Sequence, residues 1–322
     1  MNWLQTITLT LLLCAAPQLA YAGPDKEPAP KKVHVGLFVL DVQHINDLER
    51  SAEVDFVIVV SWHDPTLTGK YEVSTVVPPG SIWNPDVGVF NNRNLRTQRS
   101  DDLTVTPEGQ VTRTQRYIGT IGTRFDLGHF PLDHHELLFE LASSRGGEVE
   151  LVVHPDLTGQ NKDMSLTGWT LQQGEGSVIE HQLMQLRLPG IRYSLPIQRM
   201  TSYYVWSVIL PLALVVLMSI TSLWIRPNFV APRIGVAATA MLTVITYRFA
   251  LAQQVPALDY LTRLDLFLLG ATGLVLGTLV VAVLSTRWHV TDSPERAERI
   301  DRACQIAFPT IFLIATAITL FV

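Results

Sequence analysis

Six residues in the run RIGVAATAMLTVITYRFALAQ, Arg233 to Gln253, carry the chemistry that stands out first. Gly235, Thr239, Leu242, Thr246, Phe249 and Gln253 recur at steps of four, three, four, three and four, which places all six on one face of a helix. The rest of the run is apolar enough for hydrocarbon. A hydroxyl buried in lipid without a partner costs free energy, so threonines in register are expected to meet water inside a membrane, as they do on a helix that lines a pore.

A second constellation has the residue types of a metal site: Asp133, His134, His135 and Glu136. Successive side chains on a strand point to opposite faces, so four in a row do not reach one ion, and the HExxH spacing is absent. No metal or cofactor is expected. G-x-S-x-G is missing too, which leaves an exported hydrolase without a nucleophile motif.

These groups need elements to position them. The chain has 322 residues and a formal charge of -5, no basic footprint for nucleic acid. Residues 1–22 form an apolar core ending in Ala20, Tyr21 and Ala22, the pattern of a signal peptide cleaved before Gly23. Only Cys14 and Cys304 occur, so the mature chain is expected to form no internal disulfide. After Tyr203 come four apolar segments, about 204–225, 233–255, 261–284 and 303–322, each with about the 20 residues that a spanning helix needs. Arg226 and Arg233 flank the first connection and Arg287, Arg296, Arg299 and Arg302 crowd the third, Ser285 to Ile300, so both are expected inside. The amino-terminal part then lies outside. From Lys32 to about Arg199, short β-branched runs such as AEVDFVIVVSW and EVELVVH alternate with Gly, Pro and Asn clusters. This argues for an antiparallel sandwich of roughly eight to ten strands, preceded by a disordered arm over PDKEPAPKK.

A strand-rich exported domain (23–200), four spans (201–322) and a threonine-bearing second span resemble the pentameric ligand-gated ion channels, most closely the prokaryotic members that lack the bracketing loop cysteines. Trp62, Asp64, Pro65 and Leu67 in SWHDPTL, and Trp83, Pro85 and Asp86 in IWNPDVGVFNN, are similar to two family strand signatures. Phe130, Pro131 and Asp133 in FDLGHFPLDHHEL resemble its Phe-Pro-x-Asp hairpin, and Arg199, Tyr203, Tyr204, Leu210 and Pro211 its junction into the first membrane helix. Leu242 and Phe249 fall where the family has its pore constriction, and Pro256 in the loop that follows.

The resemblance implies an immunoglobulin-like sandwich on a four-helix transmembrane domain, five identical subunits around an ion path, and a bacterial inner membrane with the sandwich in the periplasm. Leu242 and Phe249 would form rings that close by dewetting. Asp133, Arg199, Asp47, Pro131, Phe130 and Pro256 would couple the domains, with Glu49 as the alternative to Asp47. Arg233 and Pro232 would stand at the inner mouth, where five arginines favour anions over the small cations that bacterial relatives conduct. The agonist region lacks an aromatic box, and Trp83, Phe90, Ser144, Arg145 and Tyr193 point to an acidic or polar small molecule, or protons. A membrane-anchored sensor that does not conduct would share the sandwich but leave the stripe unexplained.

Overall fold

The computed structural model describes residues 29–98, 101–252, 258–291 and 294–321. The signal peptide expected over 1–22, Cys14, Gln253 and Pro256 lie outside them.

Among the described residues thirteen strands form two sheets. The first holds β1 (Lys31–Asn46), β2 (Ser51–His63), β3 (Thr75–Val77), β5 (Asn92–Thr97), β6 (Leu103–Val105), β7 (Gln110–Gly122), β9 (Val149–Val153) and β10 (Gly159–Gln160), along the path β10-β1-β2-β7-β6-β3, with β5 also on β7 and β9 also on β1. The second holds β4 (Val87–Val89), β8 (His134–Ser143), β11 (Trp169–Leu171), β12 (Glu175–Leu183) and β13 (Leu186–Arg199), in the order β11-β13-β8-β4 with β12 also on β13. More strands are present than the eight to ten expected because seven have only two to six residues, and all of these but β9 sit in Gly-, Pro- and Asn-rich connections, too short for alternation to register. Lys31 and Lys32, expected in the disordered arm, instead begin β1 and pair with Val149 and Glu150.

Alternation decides what each face buries. Val54, Phe56, Ile58, Val60 and Trp62 on β2 point inward, as do Leu137, Phe139 and Leu141 on β8 and Ile191, Tyr193, Leu195 and Ile197 on β13. Phe56 spans the two sheets: its ring stacks on Tyr117 at 5.5 Å and meets the edge of Phe139 at 5.3 Å.

Four helices long and apolar enough to cross a membrane follow: α1 (Ser202–Trp224), α2 (Val230–Ala252), α3 (Arg263–Val290) and α4 (Pro294–Phe321). α3 and α4 run well past the apolar segments and consume most of the expected connection from Ser285 to Ile300. Their polar ends pack against each other, with Ala297 and Asp301 buried and Asp301 accepting a hydrogen bond from Ser285 Oγ at 3.1 Å. Counting hydrophobic residues therefore stops short of where the helices stop. Pro211 lacks the N–H that would meet the Ser207 carbonyl, and α1 widens to a π-helical turn over Val205–Ile209 just before it. Tyr247 Oη from α2 donates to the carbonyls of Ser207 and Val208 at 2.9 and 3.1 Å, so the break is satisfied by a neighbouring helix.

Phe56→Ala opens a cavity between the sheets and should cost about 3–5 kcal/mol. Thermal unfolding of the solubilised protein followed by tryptophan fluorescence should show a clearly lower midpoint, and an unchanged midpoint would contradict this packing.

Candidate functional site

Asp133 and His135, two apart at the start of β8, point to the same side, and β13 pairs there in a register that brings Arg199 beside Asp133. Arg199 Nε and Nη2 donate to Asp133 Oδ1 and Oδ2 at 2.8 and 3.0 Å, a bidentate fork, and Nη2 also lies 2.9 Å from Asp47 Oδ2 in the turn after β1. His135 Nε2 sits 2.6 Å from Asp133 Oδ2. The guanidinium is held between two rings, 4.1 Å from Trp169 and 4.9 Å from Phe130. Asp133 and Arg199 are both buried. Of the two acids expected as third member, Asp47 occupies the place, while Glu49 is exposed and its carbonyl accepts from Arg93.

Burial raises the cost of charging Asp133, but hydrogen bonds from His135 and Arg199 and the Arg199 charge more than offset it and bring its pKa to about 2. Asp47 goes the other way: burial and the nearby Asp133 charge raise its pKa despite Arg199. On acidification Asp47 is therefore the first of the two to take a proton.

The cluster is wired to the helices by the hairpin carrying Phe130 and Pro131, both buried, whose connecting peptide is cis. Phe130 meets Tyr204 of α1 edge-on at 4.9 Å. At the head of α3, Arg263 N–H and Leu264 N–H donate to the carbonyls of Gly128 and Phe130 at 3.2 and 3.3 Å, and Leu127 N–H donates to Tyr260 Oη at 3.0 Å. Thr262 and Asp265 close a capping box, so α3 starts at the hairpin it receives.

On α2, the buried residues are Arg233, Ala237, Ala240, Val244 and Leu251. Gly235, Thr239, Leu242, Thr246 and Phe249 are offset from them by two positions, about 200° around the helix, and all are exposed in the single chain, Leu242 at 67% and Phe249 at 71%. Thr246 Oγ1 donates to the Leu242 carbonyl at 3.0 Å, and Thr310 Oγ1 on α4 does the same to Ile306 at 2.8 Å, so a threonine satisfies its donor without water. Hydroxyls in register are thus weaker support than the stripe's position opposite the packed face.

Arg233 corrects the expectation of an arginine ring at the inner mouth. Its side chain is fully buried within the bundle, donating to Asp301 Oδ1 and Oδ2 at 2.6 and 2.9 Å and to the Ile225 carbonyl at 3.1 Å. Arg233 is on the helix face opposite the stripe, where a guanidinium is tolerated only with a paired acid. Pro232 beside it is exposed.

The five residues expected near an agonist are not brought together. Ser144 hydrogen-bonds Asp86, and Arg145 Nε donates to the Asn84 carbonyl at 3.2 Å. Trp83 meets Trp62 edge-on and carries Lys31 over its face at 4.2 Å. Tyr193 donates to Gln160 at 2.8 Å and opens onto a separate cavity of ≈ 450 Å³. Phe90 lines a cavity of ≈ 540 Å³ with Arg93, Arg124, Glu140, His181 and Arg192. There His181 stacks on Phe90 at 4.0 Å, and Gly190 leaves it room, since a Cβ would stand 2.6 Å from its ring. His181 and Thr123 line this cavity, and their Nε2 and Oγ1 atoms are buried without hydrogen-bond partners among the described residues.

Residues 21–200 match the model of the neurotransmitter-gated ion-channel ligand-binding domain, more than half of the chain. The chain belongs to that family of pentameric ligand-gated ion channels. It is 24% identical over 302 residues to the proton-gated ion channel of Gloeobacter violaceus, covering 91% of this chain and 83% of the relative. It is 24% identical to pH-sensitive chloride channel 2 of Anopheles gambiae over 81% of this chain and 46% of that one. To a gamma-aminobutyric acid receptor subunit beta-like protein of Drosophila melanogaster it is 26% identical over 64% of this chain and 43% of the relative. The chain thus spans about half the length of these animal channels and most of the bacterial one. With four helices long and apolar enough to cross a membrane, it is a multi-pass membrane protein of this channel family.

The sequence reading gives Asp301, His181 and Arg192 no role, and it takes up His135 only within the Asp133–Glu136 run. Alternation, which puts Asp133 and His135 on one side, is the signal that joins them. Nothing local marks Asp301.

Asp133→Asn tests the cluster. A carboxylate held at about 2 instead of 3.8 adds roughly 2 kcal/mol of stability that is fully present above about pH 4 and lost as pH falls through 2. The variant should unfold at lower temperature at pH 7, and its midpoint should fall less steeply than wild type between pH 4 and 3. Parallel curves would remove Asp133 from this role.

Proposed function

We propose that the protein is a homopentameric channel of the bacterial inner membrane, its sandwich in the periplasm, in which a stimulus at the sandwich opens a path for small monovalent ions lined by α2. What carries the reading is the orientation of α2: the face from Gly235 to Phe249 points away from the bundle's packed interior. Five copies around an axis would bury that face against water, with Leu242 and Phe249 as the narrow apolar rings.

The stimulus acts through a difference in affinity for two states. The cavity beneath Phe90 supports an anionic or strongly polar agonist, because Arg93, Arg124 and Arg192 face one acid, Glu140, to which Arg192 is already paired at 2.6 Å. The names of the Gloeobacter and Anopheles relatives support protons as a second stimulus. Asp47, whose pKa burial raises, is the group of the coupling cluster suited to receive one. From Arg199 the movement passes through Phe130 to Tyr204 and Leu264, and so to the helices that hold α2.

Selectivity no longer rests on Arg233, whose charge Asp301 compensates. The exposed stripe carries no charge among its described residues. What remains at its foot, beside Pro232, is the amino terminus of α2 with the partial positive charge of unpaired N–H groups. This supports a modest preference for anions.

Purified protein in a planar bilayer tests the reading. Leu242→Ala widens an apolar ring and should raise resting conductance and shift activation to weaker stimulus; an unchanged resting current and activation curve would count against Leu242 as gate. In asymmetric NaCl the reversal potential should follow chloride, and one that follows sodium would dismiss the anion preference.

A further inference from the structure

Among the described residues, the side-chain hydrogen bonds that join α2 to the rest of the bundle come from only two positions, Arg233 and Tyr247. Thr243 and Thr246 donate to carbonyls of α2 itself. The remaining hold on α2 is apolar packing, which in hydrocarbon gives little preference for one rotation, because lipid tails are as apolar as the neighbouring helices. Two polar tethers therefore set how α2 is turned. At about 1.5 Å and 100° per residue, Tyr247 stands roughly 21 Å from Arg233 along the helix and about 120° round from the stripe of Gly235 to Phe249. In sequence it falls between Leu242 and Phe249, so it holds the helix at the level of the proposed apolar rings.

The tyrosine is tied to the irregular part of α1. Pro211 leaves the Ser207 carbonyl without a helical donor, the turn over Val205–Ile209 is π-helical, and Tyr247 Oη donates to the carbonyls of Ser207 and Val208 at 2.9 and 3.1 Å. One turn earlier on α1 is Tyr204, whose ring Phe130 meets edge-on at 4.9 Å. Phe130, Tyr204, the Ser207 carbonyl and Tyr247 thus form a contiguous path from the buried Arg199 cluster to α2. We propose that Tyr247 is the positioning residue of the gate: its hydroxyl ties the half of α2 nearer the sandwich to the π turn of α1, so that a shift of Tyr204 rotates Leu242 and Phe249. Arg233, forked onto Asp301, keeps the other end of α2 in place while this happens. The gating role rests on the channel reading; the tether rests on the geometry of α1 and α2.

Tyr247→Phe keeps the ring and removes the donor. Hydrogen–deuterium exchange of the solubilised full chain should quicken by about threefold or more over residues 243–252, with α3 near wild type. In planar bilayers the variant should need about threefold or more higher proton concentration for half-activation, at unchanged single-channel conductance. Pro211→Ala returns an N–H to the Ser207 carbonyl from within α1, so in that background Tyr247→Phe should add clearly less to either readout. Exchange equal to wild type would overturn the tether, and fully additive effects would overturn the Ser207 carbonyl as its partner. Faster exchange with an unchanged activation curve would reduce Tyr247 to a structural group and overturn its role at the gate. Activation at lower proton concentration would also overturn it, since the hydroxyl would then hold the pore shut. A wild type that carries no current would sink the channel reading and the gating role with it, while the exchange result still decides the tether.

Discussion

A guanidinium buried between two aromatic rings and two carboxylates has few places to go, and Arg199 is in that position. Its charge is tolerable away from water only because Asp133 meets it with a two-pronged hydrogen bond and Asp47 adds a third. Each partner belongs to a different part of the chain: the last strand, the hairpin before β8, and the turn after β1. Satisfying one charge therefore fixes three backbone segments relative to each other at the end of the sandwich where the helices begin. Phe130 lies against that guanidinium on one side and Tyr204 on the other, which extends the constraint into the helical part.

The same logic recurs at the opposite end of the bundle. Arg233 and Asp301 are buried together, and neither is tolerable there alone. Their pairing sets the rotation of α2. With Arg233 turned toward α4, the residues two positions along must face away from the bundle, which is why Gly235, Thr239 and Leu242 are free for the proposed pore. A residue first read as part of an ion path is better understood as the anchor that orients it.

Much of the architecture was legible from local patterns. The five inward residues of β2 alternate strictly, and the four apolar segments are long enough to leave no other reading. Short strands such as β4 and β11 were not legible, because three residues do not display a period. Helix ends were misjudged where charged residues continue the helix: the last turn of α3 is Arg287 to Val290, polar yet stabilised by basic groups at a carboxyl terminus. Asp133 and Arg199 were visible because they are sparse ionisable groups in motifs that resemble those of the family. The cavity under Phe90 was not, because it is assembled from side chains on four strands and loops whose relative register no local pattern encodes.

By itself the sequence determined the two-part architecture and the face of α2 that carries small polar and bulky apolar residues, while the pairing of Asp133 with Arg199 was implied by the family resemblance of the motifs around them. The first two follow from periodicity and from the length of apolar runs, both properties of short stretches of chain. Only the tertiary structure decided which way that face turns, that Arg233 is neutralised by Asp301 rather than exposed to ions, and that His135 and Trp169 complete the environment of Arg199. Those outcomes depend on contacts between residues 30 to 68 positions apart, where the energy of a buried pair is realised only after the elements carrying them have packed.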